Sequence, residues 1–256
     1  MRWAVRLALA TTVCSVTACG RVSFDPLSGD ATVDRDGQAD TTSADTSSDT
    51  TTSAITMTTK GSDNNVSTML SFFVALAPGD TLIVATNRRT SDISTVTWNG
   101  LSLNQDFAST GWGSGPVYTT IWSLYTASGG SAAVIATGAG ANSGEMIVNV
   151  ATGLLPSAVL DQGISAVGNG TSASAGPSNQ TQAPRELVYG VIAGDSNTPF
   201  GGTFSGNWTQ GLPVVGVNEQ TIDAYMLVTQ TGSFSITYGP FANQGWYAAI
   251  ATYKAP

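Results

Sequence analysis

From Ala54 to the C-terminus the chain is a succession of short alternating apolar runs, and Gly, Pro or Asn stands between most of them. That period of two is the dominant constraint. Successive side chains leave opposite faces of a strand, so the pattern specifies half-buried strands. In "VYTTIWSLY", Val117, Thr119, Ile121, Ser123 and Tyr125 share one face, and Tyr118, Thr120, Trp122 and Leu124 share the other. "ISTVTWNGLSLNQDF" sets two such runs around Asn99-Gly100, a pair that favours a type I′ hairpin turn. Pro78-Gly79-Asp80 separates "STMLSFFVAL" from "TLIVATN" in the same manner. Further strands are expected at 132–137, 144–152, 186–194, 222–231, 233–238 and 245–253. No long segment shows a capped 3.6-residue period, so no helix is expected.

Several runs, such as "ELVYGVIAG" and "GWYAAIATY", are apolar or small on both faces. A strand of that kind is covered on two sides, which calls for stacked sheets. The expectation is an all-β domain over 54–256, an antiparallel β-sandwich with jelly-roll-like rather than immunoglobulin-like topology. Two tandem sandwiches dividing near 155–170 are the alternative. The sequence offers no evident internal repeat, since "VTWNGLSL" has no clear second copy. The Gly-rich "TGAGANSGE" is expected to be a turn between two strands, because no helix follows it to receive a phosphate.

The N-terminus has a different character. Residues 1–18, "MRWAVRLALATTVCSVTA", combine Arg2 and Arg6 with a short apolar run ending in small residues. The run is shorter than the roughly 20 residues a membrane-spanning helix needs, and the layout is that of an export signal. Val16-Thr17-Ala18-Cys19 resembles the lipobox of bacterial lipoproteins. That resemblance implies cleavage after Ala18, acylation of Cys19 and a lipid bilayer as partner. Gly20 in place of Asp leans towards the outer membrane or cell surface. Two or more acyl chains are needed for stable anchoring, because one gives only marginal binding.

Residues 19–53 then read as a tether. Between 25 and 53 there are seven Asp and one Arg, many Thr and Ser, and no aromatic residue. Such a segment cannot bury enough apolar surface to offset its ordering entropy, so a disordered linker is expected. Asp34, Asp36, Gly37 and Asp40 partly resemble a calcium loop, but Thr32 and Ser43 occupy its end positions and Ser43 replaces the closing Glu. A solvated acidic linker is the better reading.

Composition narrows the chemistry. There is no histidine, and both cysteines, Cys14 and Cys19, precede the domain. Ser-His-Asp triads, Cys-His pairs and His-based zinc sites are therefore excluded. A net charge of −8 argues against nucleic acid, whose phosphates require clustered Lys and Arg. No cofactor and no metal site is expected. The domain's carboxylates, Asp63, Asp80, Asp92, Asp106, Glu145, Asp161, Glu186, Asp195, Glu219 and Asp223, fall mostly at strand ends and turns. A pair of them flanking a cleft would suit glycoside hydrolysis, but sequence does not show any two converging.

Trp98, Trp122 and Trp246 lie in alternating strands and are expected in the core. Trp112 in "ASTGWGSGPVY" and Trp208 in "FSGNWTQG" sit among turn residues and are the candidate ligand contacts. "ALAPGDTLIVA", "VTWNGLSL", "TIWSLYTASGGSAAV" and the terminal "WYAAIATYK" together resemble a recurrent β-sandwich module of bacterial extracellular proteins. That resemblance implies a fold and no functional residue. The expected function is a non-enzymatic surface lipoprotein that binds a glycan or a protein partner or serves structurally. The alternatives are a carboxylate-dependent glycan hydrolase and a subunit of a surface assembly without a small ligand.

Overall fold

The computed structural model describes residues 53–113, 115–156 and 160–256. The signal stretch 1–18, Cys19 and the acidic segment up to residue 52 lie outside the described residues. The strands are β1 (Thr56–Leu76), β2 (Asp80–Arg89), β3 (Ile93–Trp98), β4 (Leu101–Ser102), β5 (Asn104–Ala108), β6 (Val117–Thr126), β7 (Gly130–Thr152) and β8 (Leu160–Gly170). They continue with β9 (Ala173–Ala175), β10 (Glu186–Gly194), β11 (Thr203–Phe204), β12 (Thr209–Val215), β13 (Gln220–Val228), β14 (Ile236–Gly239) and β15 (Gln244–Lys254). No helix occurs among the described residues, and every strand pair is antiparallel. The fold is an all-β antiparallel sandwich.

The turns form as their residues dictate. Asn99 and Gly100 both take positive φ, 49° and 78°, and Trp98 pairs with Leu101 across them, as a type I′ turn requires. Gly79 has φ 90° after Pro78, and the Asp80 N–H donates to the Ala77 carbonyl at 3.1 Å, closing a tight turn into β2.

One expected turn is absent. The segment "TGAGANSGE" does not separate two strands; β7 runs through it without a break from Gly130 to Thr152. β1 accompanies β7 along nearly its full length, with a register shift between Ser67 and Met69. There residues 138–141 lie opposite a single residue, so the ribbon bends instead of ending. Its two halves thus serve different sheets: β3 pairs with the first half of β7, and β2 with the second.

The sheets form four layers around three cores. The outermost core lies between the second and first halves of the β1–β7 ribbon and includes Leu82, Val84, Trp98, Trp122, Val134 and Val148. A middle core joins β2, β6 and β7 to β10, β13 and β15 through Ile83, Ala85, Ile121, Ile147, Tyr189, Val191 and Ala249. A third lies beyond the second large sheet, where Val188, Ile192 and Ile250 meet Ala173, Ile236 and Tyr238. This stacking explains why β2 and β10 are apolar on both faces: each is buried on both.

A topological repeat underlies the stack. The inner sheet of the first half has the order β1–β7–β2–β6–β5, and that of the second half has β8–β15–β10–β13–β12. Replacing β1 by β8 plus β9, β2 by β10, β3 by β11, β5 by β12, β6 by β13 and β7 by β14 plus β15 converts one half into the other, outer sheets included. In each half the first and last strands pair next to each other, the jelly-roll-like feature. The first half ends with β7 at Thr152 and the second begins with β8 at Leu160. The repeat is chiefly one of strand order and register, and its trace in the sequence is short, the Ala-Pro turns that precede Asp80 and Glu186.

Candidate functional site

The joint between the halves is not purely apolar. Both β2 and β10 begin at the end where Arg185 Nη2 donates to the Ser53 carbonyl at 3.0 Å. Strands of this length carry their far ends roughly 30 Å away. At that far end β7 aims Glu145 into the joint, on the same face as Ile147, Asn149 and Ala151. By register Glu145 corresponds to Tyr247 in the second half, since Glu145 pairs with Asn87 and Tyr247 with Ala193. The repeat thus offers one position in two chemistries.

Glu145 is fully buried. Its Oε1 accepts the Gly216 N–H at 2.5 Å, and its Oε2 lies 2.5 Å from Thr221 Oγ1 and 3.3 Å from Asn87 Nδ2. Asn87 is held in turn by Thr119, whose hydroxyl donates to Asn87 Oδ1 at 3.0 Å. Burial pushes the Glu145 carboxyl up to about 8; the donors of Thr221, Asn87 and Gly216 oppose the rise, and the nearby Glu219 adds to it. Glu219 is itself buried and raised by desolvation, against a Ser143 hydrogen bond and the charge of Arg89.

Deeper in the joint, Asp223 repeats the theme. Its Oδ2 accepts Asn149 Nδ2 at 2.7 Å and the Tyr189 hydroxyl at 3.2 Å, and its Oδ1 accepts the Leu212 N–H at 3.0 Å. Burial raises Asp223 to about 6 despite these donors. Tyr253 adds a further cross-joint bond, donating to Asp106 Oδ2 at 2.8 Å. A groove of about 290 Å³ opens beside Glu145, walled by Asn64, Val66, Ser143, Val215 and Val217. The register-equivalent groove of the second half, about 230 Å³, is bounded by Ser109, Val167 and Tyr247.

Other carboxylates hold turns and neighbouring strands. Asp63 accepts the Ser71 N–H at 2.8 Å, and Asp195 accepts that of Gly245 at 2.8 Å. Asp161 Oδ1 lies 3.1 Å from Lys254 Nζ and shares a hydrogen bond with Glu186. Burial first, and then Asp161, lift Glu186 to about 7. Among the described residues no group of three His, Cys, Asp or Glu is placed to hold a metal ion.

The two candidate tryptophans are not brought together. Trp112 is 6% exposed and belongs to the middle core. It stacks on Tyr247 with centroids 6.3 Å apart, and its Nε1 donates to Thr119 Oγ1 at 3.3 Å. Its loop folds back because Trp112 bridges Val117 through two backbone hydrogen bonds of 3.0 Å. Trp208 is half-buried against the third core beside Phe204, over Gly190, where a side chain would crowd its ring. The two rings thus lie on opposite faces of the second large sheet. Trp98 and Trp122 are buried in the outermost core, and Trp246 packs on the third, as their alternation requires.

Sequence reading missed the cluster around Glu145. The available signal was an acid set two or four residues from a neutral polar residue on one face of a largely apolar strand, Glu145 and Asn149 in "GEMIVNVATG" and Thr221 and Asp223 in "QTIDAYMLV". No protein-family model matches the chain, and neither a curated protein nor a solved structure matches it.

Proposed function

We propose that this chain is a bacterial lipoprotein, anchored through acylated Cys19 and carried on an acidic tether, whose double sandwich binds a glycan or protein partner without catalysis. The anchor rests on the Val16-Thr17-Ala18-Cys19 pattern. The observation that favours binding over chemistry is the use made of the joint's carboxyls. Glu145 and Asp223 are buried, and every one of their oxygens is engaged by a donor from a neighbouring strand or, for Glu145 Oε1, from the loop after β12. A general acid or base must instead reach a substrate proton.

In the hydrolase alternative the nearest acids are Glu145 and Glu219, buried behind the groove wall formed by Ser143, Gly216 and Val217. Incubation of the folded chain with a panel of surface polysaccharides tests both readings. Binding without new reducing ends is expected. Reducing ends that disappear in Glu219→Gln would replace the binding reading with the enzymatic one.

One observation favours the assembly subunit as a second reading. Met69 and Phe73 are 47% and 67% exposed on the outer face of β1, beside the exposed Val66. Apolar exposure on a strand at a sheet edge suits a protein contact better than a sugar ring.

A further inference from the structure

Residues 211–219, the second part of β12 and the loop that follows it, lie across the joint between the halves and are held from below by carboxyl groups. Glu145 takes the Gly216 N–H. Asp223 takes the Leu212 N–H. Asn64 Nδ2 donates to the Val215 carbonyl at 2.7 Å, and Val214 seals the middle core. β12 is the edge of its sheet, and its pairing to β13 is broken between Gln210 and Pro213. Pro213, Val214 and Val215 pair with β13, and the Gly216 N–H is shared with the Glu219 carbonyl at 2.9 Å, so the carboxyl ties reinforce a short ladder that is interrupted at 211–212 and has no strand on its other side.

We infer that residues 211–219 form a pH-operated strap over the joint, closed while Glu145 is protonated and loosened when Glu145 ionises.

The geometry supplies both states. With Glu145 neutral, Oε1 still accepts from Gly216, and the Thr221 hydroxyl can accept from Oε2 as readily as donate to it. No bond is lost on protonation. With Glu145 ionised, a charge lies in a site closed to water, at the foot of the segment that includes Glu219. The groups facing Glu145 are few. β2 contributes the neutral Asn87 and, further along, Arg89, whose charge is turned to Glu219. β13 contributes the neutral Thr221, preceded by Glu219. The strap contributes only a backbone N–H. Among the described residues no cation is directed at Glu145 itself, so the cheapest relief is admission of water by lifting the strap. Burial places the change near pH 8. Asp223, raised to about 6, titrates lower, so a change at the Leu212 amide near pH 6 reports Asp223 and one at the Gly216 amide near pH 8 reports Glu145. Lifting would widen the groove at Ser143 and Val217 and uncover Val214.

Hydrogen exchange on the full chain tests this, with protection factors referenced to the intrinsic rate at each pH from 6 to 9.5. The amides of 211–219 should lose protection tenfold or more through pH 8, while those of β10 keep theirs. Glu145→Gln should abolish the loss. Glu219→Gln removes a neighbouring negative charge and should move the transition to lower pH. Protection that stays flat in the unmodified chain, or that falls equally in Glu145→Gln, overturns the strap. Should Glu145→Gln fail to fold, the Glu219→Gln transition decides: an unmoved or raised midpoint contradicts the inference.

Discussion

Asp80 and Glu186 perform the same task one repeat apart. Asp80 Oδ2 accepts the N–H of Ala77 at 2.7 Å, and Glu186 Oε1 accepts the N–H of Ala183 at 3.3 Å. Each stands at the first position of a strand buried on both faces, and each follows an Ala-Pro pair: "APGD" in one half, "APRE" in the other. The two carboxylates fix where the central strand of each half begins.

Replacing Asp80 by Ala leaves the Ala77 N–H without its partner. A loss of about 1–3 kcal/mol is expected, read as a lower midpoint in urea with an unchanged slope. An unaltered midpoint would show that the turn is held by Pro78 and Gly79 alone.

The buried carboxyls set an unusual pH dependence. A carboxyl whose folded value lies above its unfolded one keeps its proton in the native state after the unfolded chain has lost it. Its contribution is full below the unfolded value and is lost as pH rises through the folded one. For Glu145 that window runs from 4.5 to about 8, for Glu186 from 4.5 to about 7 and for Asp223 from 3.8 to about 6. With no histidine to charge on acidification, the domain should be more stable at pH 5 than at pH 8. Urea unfolding at a series of pH values should show this decline, and Glu145→Gln should flatten its upper part. A stability that rises from pH 5 to 8 would contradict the assignment.

Trp112→Ala should destabilise the fold by about 3–5 kcal/mol, the usual cost of emptying a buried aromatic site. Trp208→Ala, at a half-buried position, should cost less. Thermal unfolding of the two variants gives the comparison, and equal losses would contradict the difference in burial.

Asp63 guards an edge. Its carboxylate occupies the Ser71 N–H on the open side of β1, beside the exposed Phe73. Charges placed on edges in this way discourage pairing with a second chain. Asp63→Ala should promote self-association at high concentration, measured by sedimentation, and a further Phe73→Ser change should reduce it. A monomer at all concentrations in both would remove the guard.

The alternating runs revealed the strands, the Asn99-Gly100 hairpin and the stacking, because each depends on neighbours in sequence. They did not reveal that 138–141 bend a strand without ending it. That follows from β1 lying alongside, a partner more than sixty residues away. Nor did they reveal the repeat. Equivalent positions such as Glu145 and Tyr247, or Ile83 and Tyr189, share a register but not a residue type. Trp112 looked like a free loop residue because the Thr119 hydroxyl and Tyr247 ring that hold it are set by tertiary packing. The acids of the joint were visible as letters, but their convergence depends on two halves meeting.

The proposed anchor can be tested directly. Mass spectrometry of the N-terminal peptide from the protein expressed in a bacterium with a lipoprotein pathway should find Cys19 as the first residue, bearing diacylglycerol. Cys19→Ser should move the protein from the membrane fraction to the soluble one. An unmodified Cys19, or a Cys19→Ser variant that stays with the membrane, would contradict the account.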